Sequence, residues 1–300
     1  LGNFAVEGAL LEMKFKYIRQ FVLRLVIATA VGTAVGTAVG TAAVSTVRAQ
    51  TNLALEVNPL TAGEELVFEA EFSRAVLRKV DVADFHFRTR RDTVPNGAGA
   101  PVISWRLIGD VTSKGIFSKL FNLRLHEHIE SSVDPATFSV LRTSKVDEQG
   151  KRVRHSEAIF DQTAGKVTWT ERDPNNPRQE PRVMTASFAG TIHDVVSAIY
   201  FMRIQPLEVG KSFDIQISDS GRIYQLPVKV VERREMKTLL GRIGVVRVDA
   251  DIFGEDRLIR GKGKFSIWLS DDARHIPVRA DLSTDVGKFE IKLKKASVMP

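Results

Sequence analysis

The sequence predicts a mainly β protein, an antiparallel meander curled into an open or incomplete barrel with one main amphipathic helix. Three observations carry this. Apolar residues alternate with polar ones over most of the chain, which is the period of a half-buried strand. Turn-forming clusters separate the alternating runs at hairpin distances. One segment near residues 191–206 changes to a helical period.

The strands follow in order. Leu66, Phe68, Ala70 and Phe72 alternate with Val67, Glu69 and Glu71. Phe121, Leu123, Leu125 and Ile129 oppose Asn122, Arg124, His126 and His128. The pattern returns at Phe213, Ile215 and Ile217, and again at Tyr224, Leu226, Val228 and Val230. Val246, Val248, Ala250 and Ile252 repeat it, then Phe265, Ile267 and Leu269, and finally Phe289, Ile291 and Leu293. Turns are expected at Glu148-Gln149-Gly150, Thr163-Ala164-Gly165, Asp219-Ser220-Gly221 and Ser270-Asp271-Asp272. Two longer polar segments, Asp92–Pro101 and Arg172–Pro181, read as loops. The same strand grammar resumes after each, so residues 50–300 are expected to form one β-rich domain.

Ile192, Val195, Val196, Ile199 and Met202 fall on one helical face. Thr191 is the expected N-cap, with Asp194 three residues on. Pro206 stops the helix. A lone amphipathic helix must bury its stripe, and the concave side of a curled sheet is the expected place.

Before this domain the chain reads as an export signal. Met13, Lys14, Lys16 and Arg19 give a basic start at residues 13–49, and 23 uncharged residues run from Leu25 to Val47. Val47-Arg48-Ala49 fits a cleavage site, so the mature chain is expected to begin near Gln50. The threefold Ala-Val-Gly-Thr repeat from Ala30 to Thr41 leaves an uncleaved N-terminal anchor as the alternative. Residues 1–12 carry no targeting logic and read as an upstream extension. The expected location is the periplasm or the extracellular space, with the inner membrane as alternative if the segment is retained.

The chain has no cysteine, which excludes disulfides, thiolate metal sites, a cysteine nucleophile and a lipid-modified cysteine. Its formal charge is +7, from 43 basic and 36 acidic residues. Removing the five basic and two acidic residues of 1–49 leaves 38 and 34, or +4. These charges are scattered. No basic stripe with interleaved aromatics marks a nucleic-acid groove.

A series of landmarks resembles one bacterial family. It starts at Gly63-Glu64-Glu65-Leu66-Val67-Phe68-Glu69, then Glu130-Ser131-Ser132-Val133-Asp134-Pro135 and Phe160-Asp161. It continues through Asp194–Arg203, Pro206–Lys211 and Ile267–Arg279. In order and spacing these are similar to the family called domain of unknown function 3108, over about residues 58–296. The resemblance implies a secreted or periplasmic β-rich protein and supplies no catalytic residues. The Asp92–Pro101 insertion and the basic Arg74–Lys79 stretch depart from the pattern, so the second strand matches it least well.

Candidate chemistry is sparse. Arg124, His126, His128 and Glu130 sit two residues apart and share one strand face. His126, His128 and Glu130 are the candidate metal ligands, against the plainer reading of a solvated polar face, because no third-ligand spacing accompanies them. His155 and Glu157, with Asp161, would join them if their strands paired directly. Asp249 and Asp251 share a face with Arg247 and read as an exposed charge pattern. Asp271-Asp272 reads as turn chemistry.

Three motifs fail. Gly210-Lys211-Ser212 lacks the phosphate-loop glycine, because Gln205 stands there. No G-x-S-x-G is present. Gly261-Lys262-Gly263-Lys264 lacks the rest of a dinucleotide fingerprint. No catalytic residue and no cofactor is assigned.

The sequence thus points to an exported envelope protein, non-enzymatic, that binds an apolar or polymeric envelope component or assists envelope assembly. The expected partner is a lipid, polysaccharide or protein of the envelope, not nucleic acid, with membrane contact only if the N-terminal segment stays. A hydrolase built on the histidines and a purely structural interaction module are the alternatives.

Overall fold

The computed structural model describes residues 60–75, 77–94, 102–115 and 124–298. The export segment, the 1–12 extension, the start at Gln50, Phe121–Leu123 and most of the Asp92–Pro101 loop lie outside them. Among the described residues no helix is long and apolar enough to cross a membrane.

Eight strands come first: β1 (Glu64–Arg74), β2 (Leu77–Val94), β3 (Val102–Ser113), β4 (Leu125–Val133), β5 (Val140–Gln149), β6 (Arg152–Asp161), β7 (Lys166–Arg172) and β8 (Arg182–Ser187). A helix, α1 (Val195–Arg203), interrupts them. Six more follow: β9 (Ser212–Asp219), β10 (Arg222–Thr238), β11 (Gly241–Ala250), β12 (Gly263–Ser270), β13 (Pro277–Thr284) and β14 (Gly287–Val298). All fourteen form one antiparallel sheet in the order β8-β7-β6-β5-β4-β3-β2-β1-β14-β13-β12-β11-β10-β9.

That order is a meander joined through its ends. β1 pairs with β14, and the sheet is left open between β8 and β9, at the middle of the chain. The open edges still approach. A Cβ on Gly221, in the β9–β10 turn, would lie 2.6 Å from the Met184 Cβ of β8 and 3.2 Å from the Trp169 Cβ of β7. With its positive φ, this glycine permits both the turn and the close contact. The predicted open, curled sheet is therefore the observed one.

The alternation predicted for β1 is complete, with Leu66, Phe68, Ala70 and Phe72 buried. Phe72 stacks on Phe289 of β14 at 4.8 Å between ring centroids. The opposite face is a lattice of cross-strand charges. Glu65 pairs with Lys295, Glu69 with Lys114 and Lys294, and Glu71 with Lys292. Such exposed pairs add little stability each, and they keep the outer face wet.

The crossing segment fills the gap. His193 makes a parallel bridge to Ile217 of β9, its N–H donating to Gln216 and its carbonyl accepting from Ser218. This covers an edge that would otherwise present unpaired backbone groups. The helix N-cap is Asp194, not Thr191. The Asp194 carboxylate accepts from the Ser197 N–H at 2.7 Å, and Ser197 Oγ accepts from the Asp194 N–H at 2.9 Å. Asp194 wins because its cap closes reciprocally with Ser197, while Ile192 and His193 remain extended to meet β5 and β9. Ile192 is buried as expected, though in that extended stretch.

Helix α1 lies against the concave side. Val196 and Tyr200 pack with Trp105, Leu107, Val133 and Phe138, while Ala198 and Met202 join the main core. At its C-terminal end, the fully buried Arg203 reaches Glu64 of β1 with both guanidinium nitrogens, at 2.6 and 2.9 Å. Arg203 Nε also donates to the Arg274 carbonyl, and His275 Nδ1 lies 2.7 Å from the Arg203 carbonyl. The helix is thus fixed at both ends.

Candidate functional site

Curling a sheet of this size leaves an interior that side chains or a ligand must fill. Here the inward rows of the strands and one side of α1 enclose a cavity of about 250 Å³. Most of its wall is apolar: Phe68, Phe85, Val111, Ile215, Leu226, Ile267 and Ala280 come from strands, and Val195, Ile199 and Met202 from the helix.

One sector differs. Glu127 of β4, Thr143 and Lys145 of β5, Ser156 of β6, Asp194 of the helix cap, Ser218 and Asp219 of β9, and Ser220 of the turn after it line it. Register explains the first pair. Glu127 stands opposite Asp147, and Ile129 opposite Lys145. Lys145 therefore reaches Glu127 along the diagonal, with Nζ 2.7 Å from Oε1. Glu127 is only 1% exposed. Among the described residues no donor reaches its Oε2.

Burial dominates the electrostatics of these groups. Desolvation pushes Glu127 up to about 7, partly offset by Lys145 and reinforced by the negative charges of Asp147 and Asp219. Asp219 is likewise pushed up by burial, to about 6, with Lys145 opposing. Burial alone would lower Lys145, but the charges of Glu127 and Asp219 raise it on balance. One ammonium thus serves two carboxylates in a low-dielectric wall. Asp147 has its own partner, Arg152, at 2.8 Å. Asp194 is occupied by the Ser197 cap and by Thr143, whose hydroxyl donates to Oδ2 at 2.5 Å.

The predicted site residues lie elsewhere. His126, His128 and Glu130 are on the outer face of β4. His128 Nδ1 is 2.6 Å from Asp110 and its Nε2 is 3.2 Å from Glu130. Burial would lower its pKa, but the Asp110 and Glu130 hydrogen bonds win and raise it. Both ring nitrogens of His128 are thus engaged by carboxylates. His126 Nδ1 lies 3.3 Å from Glu148. Arg124 is exposed.

His155 and Glu157 are on β6, which pairs with β5 and not with β4, so they do not join His126 and His128 directly. Glu157 pairs with Arg142, and Asp161 accepts from the N–H groups of Thr163 and Ala164 in the following turn. Arg247 bridges Asp249 and Glu232, and Asp251 pairs with Arg257. Asp272 caps its turn, accepting from the Arg274 N–H.

The polar sector was missed in the sequence, although a signal for it was present. Glu127 interrupts the apolar row Leu125, Ile129, Val133, and an acid on the buried face of a strand requires a partner. Asp219 was read only as a turn residue. It ends β9 and borders the cavity.

Fold and site together define a β-barrel-like protein, open along one seam, with a helix inside and an interior cavity. The chain belongs to the family described as "Protein of unknown function (DUF3108)", whose match covers residues 68–294. No curated protein matches it.

Among solved structures it is similar to a β-barrel-like protein of domain of unknown function DUF1849 from Brucella abortus. That likeness has a TM-score of 0.50 at 9% identity, over 79% of this chain and 98% of the other. It speaks for a shared fold. A candidate lipoprotein from Parabacteroides distasonis matches at TM-score 0.29 and 8% identity, over 79% and 96% of the two chains. A candidate exported protein with a YmcC-like fold from Bacteroides fragilis matches at 0.29 and 10%, over 80% and 97%.

Proposed function

We propose that this protein is an exported, non-catalytic binder that holds an apolar segment of an envelope component inside its open barrel. The cavity of about 250 Å³, apolar over most of its wall, is the observation that carries this reading. Cavities of this kind, with a few convergent polar groups, are the usual form of small-molecule sites. The helix adds to it, because Val195, Ile199 and Met202 give the cavity one wall on an element that both Asp194 and Arg203 hold in place. Export is supported by the basic start and uncharged stretch at residues 13–49.

Titration of the purified protein with the apolar fluorophore N-phenyl-1-naphthylamine tests the reading. Saturable binding is expected, and Ala280→Phe should abolish most of it by filling the cavity while the circular dichroism spectrum is retained. Absence of saturable binding, or equal binding by the folded Ala280→Phe variant, would overturn it. Cell fractionation with N-terminal sequencing tests export, with a mature start at Gln50 as the expected result.

A further inference from the structure

We infer that the ligand is an amphiphile with a cationic, amine-type head group, which sits against Glu127 and Asp219 while its alkyl chain lies along the apolar wall. The inference rests on the binding function proposed above. It stands on charge and satisfaction together. The polar sector holds three carboxylates, Glu127, Asp194 and Asp219, and Lys145 is the one lysine that acts on both Glu127 and Asp219. The other ionic groups nearby are committed, Asp147 to Arg152 and Asp194 to its cap and Thr143. Arg222 follows the Ser220-Gly221 turn and is exposed; its charge favours ionised Asp219, but less than Lys145 does.

Glu127 provides the second, independent observation. It is 1% exposed, it borders the cavity, and among the described residues its Oε2 has no donor although Oε1 is held by Lys145. A buried carboxylate oxygen without a donor is costly, and a donor from the cavity side is the remaining source. A protonated amine supplies both the missing N–H and the missing positive charge. A carboxylate or phosphate head group would add a further negative charge to the sector. An alcohol would satisfy the hydrogen bond and leave the charge uncorrected.

Calorimetric titration at about pH 7.5, below micellar concentrations, with dodecylamine, dodecan-1-ol and dodecanoate distinguishes these cases. Dodecylamine is expected to bind at least about tenfold more tightly than the alcohol, as charge-assisted hydrogen bonds warrant, with dodecanoate weakest. Glu127→Gln and Asp219→Asn should each weaken dodecylamine about tenfold or more and leave the alcohol within about threefold. Asp219→Asn decides alone if Glu127→Gln does not fold.

The affinity for the amine should also rise between pH 5 and pH 8. Glu127, facing Lys145, Asp147 and Asp219, and Asp219, facing Lys145, Asp194 and Arg222, lose their protons in that range. Equal or tighter binding of the alcohol or of dodecanoate overturns the head-group inference alone, as does amine affinity unchanged in both variants. Failure of all three probes to bind removes the binding function itself.

Discussion

Lys145 Nζ lies 2.7 Å from Glu127 Oε1 on the inner face of the sheet, inside a wall that is otherwise largely apolar. A buried ion pair of this kind is a weak source of stability, because desolving the charges offsets their attraction. Its consequence is electrostatic: it keeps a carboxylate near its titration point at neutral pH.

The first prediction follows from that. Glu127 binds its proton more tightly in the folded state, at about 7 against an ordinary 4.5. It therefore favours folding below pH 4.5, and this contribution is lost as pH rises toward 7. At ~1.4 kcal/mol per unit, wild type should lose about 3 kcal/mol relative to Glu127→Gln across that window. Urea denaturation of both proteins at pH 4.5 and 7.5 checks the difference, and parallel pH profiles would contradict it.

His193 should act in the opposite direction. Burial against Phe201, with ring centroids 4.1 Å apart, drives its pKa from 6.5 down to about 3. The neutral ring favours the fold above pH 6.5, and the contribution is lost as pH falls toward 3. His193→Phe should lack this acid sensitivity and gain about 3 kcal/mol on wild type between pH 6.5 and 4. Thermal melts across that range provide the measurement.

Removing one member of the Arg203–Glu64 pair should be severe. Arg203→Met leaves Glu64 buried and uncompensated, at a cost of about 3–5 kcal/mol. The double variant Arg203→Met, Glu64→Met should recover a large part of that loss. A double-mutant cycle in urea measures the coupling, and additive losses would show that the two residues act separately.

Gly109 makes room for the helix. Its φ is not positive, so only the missing side chain matters, and a Cβ there would meet Val196 Cγ2 at 3.0 Å. Gly109→Ala should destabilise by about 1–3 kcal/mol through overpacking. Adding Val196→Ala should cost less than it does in the wild-type background. The sum of the two single losses then exceeds the loss in the double variant.

Much of the fold was legible because a strand with one wet face writes its period into the sequence. Leu66 to Phe72 and Leu226 to Val230 are strands whose buried residues lie where alternation puts them, whereas β12 buries Trp268 and Ser270 as well as Ile267 and Leu269. The break at 191–206 located the helix. Its first turn was misplaced because Ile192 supports a helical stripe and an extended core residue equally well. The candidate site was less legible. Histidines attract attention as chemistry, yet His126 and His128 sit among the outer ion pairs, while Glu127 between them faces inward.

The sequence alone determined the face of the strands that alternate cleanly, the place of the helix and the absence of any cysteine cross-link. A two-residue period states which side of the sheet a residue occupies. It contains no information on how far the sheet curls. Glu127 and Lys145 lie on adjacent strands, whereas Asp219 comes from the edge strand at the far end of the sheet order. Only the curvature of the fourteen strands around α1 brings that carboxylate to the same lysine. The cavity and its charged sector are therefore properties of the curled shape, because low dielectric and long-range charge act through space and not along the chain.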